Sequence, residues 1–362
     1  MATSNSTPNN CTMPMWYWKA SDGMYQFTYQ YFTVIYFLFG LIGDSICLAV
    51  CVGEAKKEGA YLYQIGLTTS HIGEVITGGI SYAGSGFYGM IGNEKTGPAA
   101  DWFRSSYLNI WYFAHLASPL VNSFITSSVL LSICMTIDRV LAVAKPFAYR
   151  FYNHRRRQVF SFIFCFVIGF STSAFDMFRR RVILDASGKY SAVFDTAYTS
   201  RPFVGILSHF RNAIRIVALI ILIASSMALI YFYKKHLRQV HEMTAAQDKN
   251  ANVQKKQADK TLLTLAVYQS ISTTISMSFL VIYYFLFYGL PGFSTCGIFL
   301  MGPTTDFAVA FVYTFEFLAV LIMSKRFRKM VWKRFRSVKN QKVIETTVIP
   351  LKKMNTLTVA PC

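Results

Sequence analysis

Residues 133–150 read ICMTIDRVLAVAKPFAYR. An apolar helix ends in Asp138-Arg139-Val140. A short turn then carries Pro146, Phe147 and Tyr149, followed by Arg150. The apolar stretch before the charged pair is long enough to lie in a bilayer, so the rest of the chain is read for further spans.

Of the 362 residues, 53% are hydrophobic, 16% aromatic and only 15% charged. A soluble domain carries about 25% charged residues. The mean hydropathy of +0.35 agrees with a polytopic membrane protein. The net charge of +19 does not mark a nucleic-acid binder, because the basic residues fall in short runs between apolar segments. Residues 1–24 lack the basic and apolar regions of a signal peptide, so the first span is expected to serve as the targeting signal.

A bilayer core of about 30 Å needs about 20 apolar helical residues. Seven segments qualify, roughly 27–52, 61–84, 109–143, 158–178, 206–233, 261–288 and 303–323. The fold class is therefore an all-α, seven-transmembrane helix bundle. Glycines 73, 78, 79 and 84 weaken the second segment, although small residues suit close helix packing. With the N-terminus outside, 26 of the 36 Lys and Arg fall on the cytoplasmic side. The positive-inside rule selects that orientation in a cell membrane. The glycosylation sequons at Asn5 and Asn10 agree with it. The expected organisation is an extracellular N-terminus over 1–26, the membrane domain over 27–323, an amphipathic helix over 324–337 and a cytoplasmic tail over 338–362. In that helix Phe327, Val331 and Phe335 recur every four residues, among Lys325, Arg326, Lys329, Lys333 and Arg336. Such a helix lies in the interface and meets anionic lipid heads.

The 133–150 stretch resembles the inner end of the third helix and second cytoplasmic loop of rhodopsin-like G-protein-coupled receptors. That family has Asp-Arg-Tyr, Leu-Ala-Val, two variable residues, Pro, an apolar residue, one variable residue and Tyr. Only the triplet's Tyr departs, to Val140. The overall texture is similar to the peptide and chemosensory branches expanded in nematodes. The resemblance implies a receptor for an extracellular neuropeptide or chemosensory cue that activates a heterotrimeric G protein. The coupling surface would comprise Asp138, Arg139, Val140, Pro146, Phe147 and Tyr149, with Asp138 paired to Arg139 at rest and Phe147 as an apolar knob.

Elsewhere the pattern departs. Gly43-Asp44 stands in place of Gly-Asn, His71 replaces the second helix's acid, and Glu316-Phe317-Leu318-Ala319-Val320 replaces Asn-Pro-x-x-Tyr. Helix six lacks its Trp and Pro. The family's sodium-binding carboxylate has thus become a histidine, while two neighbouring amides have become acids. Ser128 keeps its place, and Glu74 lies one turn further out. Intramembrane ionisable groups are expensive and pair with one another. A buried network of Asp44, His71, Glu74, Ser128 and Glu316 is expected, as a proton- or ion-sensitive switch or as a neutral structural cluster.

The family's outer disulfide has no cysteines here, which leaves Cys11 and Cys296 bridged or as two free thiols. Val121 stands where amine receptors keep an Asp, which argues against an aminergic ligand. The outer loop with Arg179, Arg180 and Arg181, then a Gly-containing turn and Tyr190, has a hairpin pattern. The arginines suit an acidic ligand or lipid head groups. Asp306, with Glu74 below it, suits a basic peptide residue. No catalytic set, metal motif or cofactor fingerprint is present. Two rival readings stand: an ion or proton transporter using Asp44, Glu74 and Glu316, and a receptor-like binding protein that no longer couples.

Overall fold

The computed structural model describes residues 15–55, 61–91, 106–145, 149, 154–185, 188–244, 267–268, 270–282, 304–312, 317–318, 321–322 and 327–333. Helix α1 is a continuous run from Met15–Gln26 to Leu41–Ala55, with π-helical turns at Phe27–Phe32 and Tyr36–Gly40. It starts before the expected boundary at residue 27. Helix α2 spans Tyr61–Ile91. Helix α3 joins Tyr107–Tyr112, a π turn at Phe113–Ala117, and Ser118–Ala144. Pro119 follows that π turn and has no N–H to donate. The Ser118 N–H reaches back five residues to Phe113, which widens the helix there. Helix α4 spans His154–Ser171, a 3₁₀ turn follows at Ala174–Phe178, and α5 runs over Pro202–Thr244. Further described helices are α6 at Ser270–Ile282, α7 at 304–312 and α8 at 327–333.

Among the described residues, four helical stretches are long and apolar enough to cross a membrane: Tyr36–Gly53, Tyr107–Ala144, Arg155–Phe178 and Pro202–Lys235. Helix α2 is not one of them, in keeping with its glycines and polar residues. Phe160, Phe164 and Val167 on α4, and Ile206, Ile220 and Met227 on α5, are exposed. Such apolar faces are unusual in water and ordinary against lipid tails.

The predicted outer hairpin is present. Strand β1, Arg180–Leu184, pairs antiparallel with β2, Tyr190–Phe194, with Arg180 opposite Phe194 and Leu184 opposite Tyr190. The turn closes because Gly188 adopts φ +76°, which a residue with a Cβ rarely does. The Asp185 carboxylate also accepts the Lys189 N–H at 2.9 Å.

Helix α3 is the centre of the bundle, packing on α2, α4 and α5. Leu67, Leu131, Leu222 and Leu229 are fully buried around it. Its hydroxyls are satisfied within the helix: Ser123 donates to the Pro119 carbonyl at 2.8 Å, Ser127 to Ser123 at 2.9 Å and Thr136 to Ser132 at 2.7 Å. These small residues let α4 approach the α3 backbone. A Cβ added at Gly169 would lie 2.1 Å from Ser127 Oγ and 2.6 Å from the Ser123 carbonyl oxygen. Backbone cannot yield as a side-chain tip can. Gly169→Ala is therefore expected to destabilise by about 1–3 kcal/mol or more. Thermal denaturation of the purified protein checks it, and an unchanged midpoint would refute the close approach.

Candidate functional site

At the inner end of α3, residues 134 and 138 lie one turn apart on one face, while 132 and 136 lie on another. The first face meets α4. Asp138 is 2% exposed and forms an ion pair with Arg157, from the first turn of α4. The Tyr149 hydroxyl donates to the other Asp138 oxygen at 2.7 Å, and the Arg157 guanidinium stands 5.9 Å from the Tyr149 ring. Burial, and then the Asp138 charge, push the Tyr149 hydroxyl well above its ordinary pKa, so it stays protonated and continues to donate. A carboxylate, a guanidinium and a phenol thus close a clamp between α3, α4 and the intervening loop.

This corrects the expected Asp138–Arg139 pairing. On a helix, adjacent residues point about 100° apart, so Asp138 turns towards α4 and Arg139 does not. Arg139 is half-buried and bonds to none of the described residues. Arg157 had counted only as one positive charge on the cytoplasmic side. Its signal was its place in the first turn of a helix antiparallel to α3. Val140 is half-buried beside the α3–α4 core. Pro146 and Phe147 lie outside the described residues.

The second face of α3 meets α6. Thr136 Oγ1 and Ser270 Oγ are 2.7 Å apart, and Ser132 Oγ and Thr273 Oγ1 are 3.4 Å apart. Two hydroxyl pairs, one turn apart, hold α6 against α3.

Deeper in the bundle, Asp44, His71, Glu74 and Ser128 are all at most 6% exposed, on α1, α2 and α3. Ser128 donates to its own helix, to the Ile125 carbonyl at 2.9 Å. Glu316 lies outside the described residues. Its neighbour Phe317 packs so closely on Gly43 that an added Cβ would come within 2.9 Å of the ring. The segment after Glu316 therefore sits against the α1 turn that carries Asp44.

On the outer side, Arg211 and Arg215 of α5 are 6% and 8% exposed. Arg211 forms an ion pair with Asp176, which is 5% exposed, and stands 5.2 Å from the Phe175 ring. Arg215 donates to Asn122 Oδ1 at 2.9 Å and to Thr126 Oγ1 at 3.3 Å, both on α3. The arginine triplet divides. Arg179 reaches Asp176 at 3.7 Å, Arg180 stacks on Phe113 at 4.9 Å and Phe194 at 5.3 Å, and Arg181 is exposed. Val121 is half-buried and packs towards Gly78 in the α1–α2–α7 cluster. Asp306 is exposed at the start of α7. Asn5, Asn10, Cys11 and Cys296 lie outside the described residues. The Asn122–Thr126 acceptor pair and the buried Asp176–Arg211 pair escaped the sequence. Single polar residues in an apolar run show no partner until the helices are assembled.

After residue 324, the expected lipid-facing helix turns its apolar side inward. Phe327 and Val331 are 4% and 8% exposed, packed on Cys47, Val50, Cys51 and Tyr61. Arg328 donates to the Leu321 and Ile322 carbonyls at 3.2 and 2.6 Å, capping the end of the preceding segment. Among the described residues no group of three or more His, Cys, Asp or Glu is arranged to hold a metal.

A search of the curated proteins finds no match to the chain. The profile of the family described as "Serpentine type 7TM GPCR chemoreceptor Srv" matches residues 93–337, which include the Asp138 clamp, the hairpin and the α5 arginines. With most of its length matched, including every element of that inner clamp, this multi-pass membrane protein belongs to the Srv family of seven-transmembrane G-protein-coupled chemoreceptors.

Proposed function

We propose that the chain is a seven-span plasma-membrane receptor that binds a small chemosensory molecule from outside and activates a heterotrimeric G protein through the inner end of α3. Its N-terminus lies outside and its C-terminus in the cytoplasm. One observation carries the coupling half of this reading. The acid beside Arg139 is committed to Arg157 and Tyr149, which leaves the Arg139 guanidinium for an incoming partner. The α6 contacts supply the switch. Moving α6 away breaks the Thr136–Ser270 and Ser132–Thr273 pairs. Each such bond contributes about 0.5–1.5 kcal/mol. A gap of that size lies within what a ligand's differential affinity for two states overcomes.

The ligand reading rests on the outer half of α3 and α5. The Arg215 guanidinium, a cation at membrane depth that also donates to Asn122 and Thr126, suits a carboxylate-bearing small molecule better than a peptide amine. Stimulated nucleotide exchange on a promiscuous G protein, screened with small carboxylic acids, tests both halves. Activation by acids and a loss of about tenfold or more in Arg139→Ala, at equal surface expression, are expected. Activation by basic peptides alone would overturn the ligand half. Full coupling in Arg139→Ala would overturn the other, and coupling absent in the parent protein would leave a binding protein.

We read the deep cluster of buried Asp44, His71 and Glu74 as structural rather than as an ion switch. Sodium is expected to change signalling of His71→Asp, which restores the carboxylate, more than that of the parent. An equal sodium effect on both removes this reading. Buried Asp44 and Glu74 also keep a transporter in view, and proton or ion currents in reconstituted membranes would support it. Lys329 and Lys333 of α8 are exposed, and their charge suits anionic lipid heads.

A further inference from the structure

We propose that Cys134 and Cys165 are a modification site: a thiol pair that a small oxidant converts into a disulfide stapling α3 to α4. Their sulfurs lie 3.9 Å apart across the interface of two different helices. A disulfide needs about 2 Å, so the sulfurs must close by roughly 2 Å, a side-chain movement rather than a helix movement. The scaffold holds them in reach. Ser127 Oγ donates to the Cys165 carbonyl at 3.3 Å, and Gly169, one turn on, brings α4 against the Ser123 backbone. Cys165 is 1% exposed, while Cys134 is half-buried, so oxidant reaches Cys134 first.

The chemistry balances with hydrogen peroxide as oxidant. The Cys134 sulfur attacks one peroxide oxygen, the O–O bond breaks, and a sulfenic acid and one water result. The Cys165 sulfur then attacks the Cys134 sulfur, gives up its proton and expels the sulfenic oxygen as a second water. Two thiols lose two electrons and peroxide gains them. Cys134 stands one turn before Asp138 on α3, and Cys165 shares α4 with Arg157. The staple therefore fixes the spacing of the two helices that hold the clamp. This proposal is independent of the ligand reading. Cys47 and Cys51 are also 3.9 Å apart but lie four residues apart on one helix, so they have no interface to staple and serve as an internal control.

The test uses the full chain in membranes, treated with hydrogen peroxide, quenched with an alkylating agent, proteolysed without reduction and analysed by mass spectrometry. The expected result is a Cys134–Cys165 cross-linked peptide as the major oxidation product, absent from Cys134→Ser and Cys165→Ser. Oxidised parent protein should melt several degrees higher than reduced, and neither serine variant should gain. Both substitutions are nearly isosteric, and each variant's reduced melting point shows that it folds. Cys134 accumulating as sulfenic acid, a cross-link to any other cysteine, or two alkylated thiols after peroxide would each overturn the proposal.

Discussion

Asp176→Ala should leave little folded receptor, with a loss of about 3–5 kcal/mol. Asp176 and Arg211 are buried at the outer ends of the α4 segment and α5, and their ion pair crosses between them. Removing the carboxylate strands a guanidinium where water does not compensate it. The Phe175 ring, 5.2 Å away, offsets only about 0.5–2 kcal/mol. Arg179, at 3.7 Å from Asp176, loses its partner as well. The loss therefore reflects an orphaned charge more than a missing attraction, and this is separable. Replacing both partners with apolar residues, Asp176→Leu with Arg211→Met, should recover most of the stability. Surface expression and thermal denaturation of the three proteins decide the matter. A single variant that melts within a degree or two of the parent would mean that water reaches Arg211.

Asp138→Asn should raise ligand-independent nucleotide exchange by about tenfold, which corresponds to about 1.4 kcal/mol of shift between resting and active states. The carboxylate binds Arg157 and accepts the Tyr149 hydroxyl, so the amide keeps the shape and loses the charge. The helix-three end and the loop are then no longer tied to α4. Tyr149→Phe removes one hydrogen bond at 2.7 Å and should act in the same direction, more weakly. Arg157→Met should act in the same direction but also destabilise the fold, because it strands the buried Asp138 carboxylate, whereas Asp138→Asn leaves a guanidinium that is 29% exposed. Basal exchange on reconstituted G protein reads all three. If Asp138→Asn stays at the parent's basal rate, the clamp is an anchor and not a latch.

Much of the architecture could be read from one-dimensional signals. Apolar length placed the helices near 109–143, 158–178 and 206–233, because crossing a bilayer demands about 20 such residues whatever their neighbours. The hairpin followed from β-prone runs around Gly188. The segment proposed to couple was legible from the fixed spacing between Asp138 and Tyr149. Bounds were less legible. Helix α1 is already helical at Met15, well before the apolar run, since helices extend past the apolar core into polar surroundings.

The chain's sequence by itself determined that this is a multi-pass membrane protein with a receptor-like inner loop. Hydrophobic length and motif spacing are local properties that survive without a partner. Only the tertiary structure decided who pairs with whom. Asp138 chose Arg157, nineteen residues away, over its neighbour Arg139, because a helix turns adjacent side chains to different faces. Asp176 found Arg211, Arg215 found Asn122, and Cys134 came to 3.9 Å from Cys165. Each is a contact between helices. In an apolar surround such contacts are selected by the cost of leaving a polar group alone, and that cost exists only once the bundle is closed.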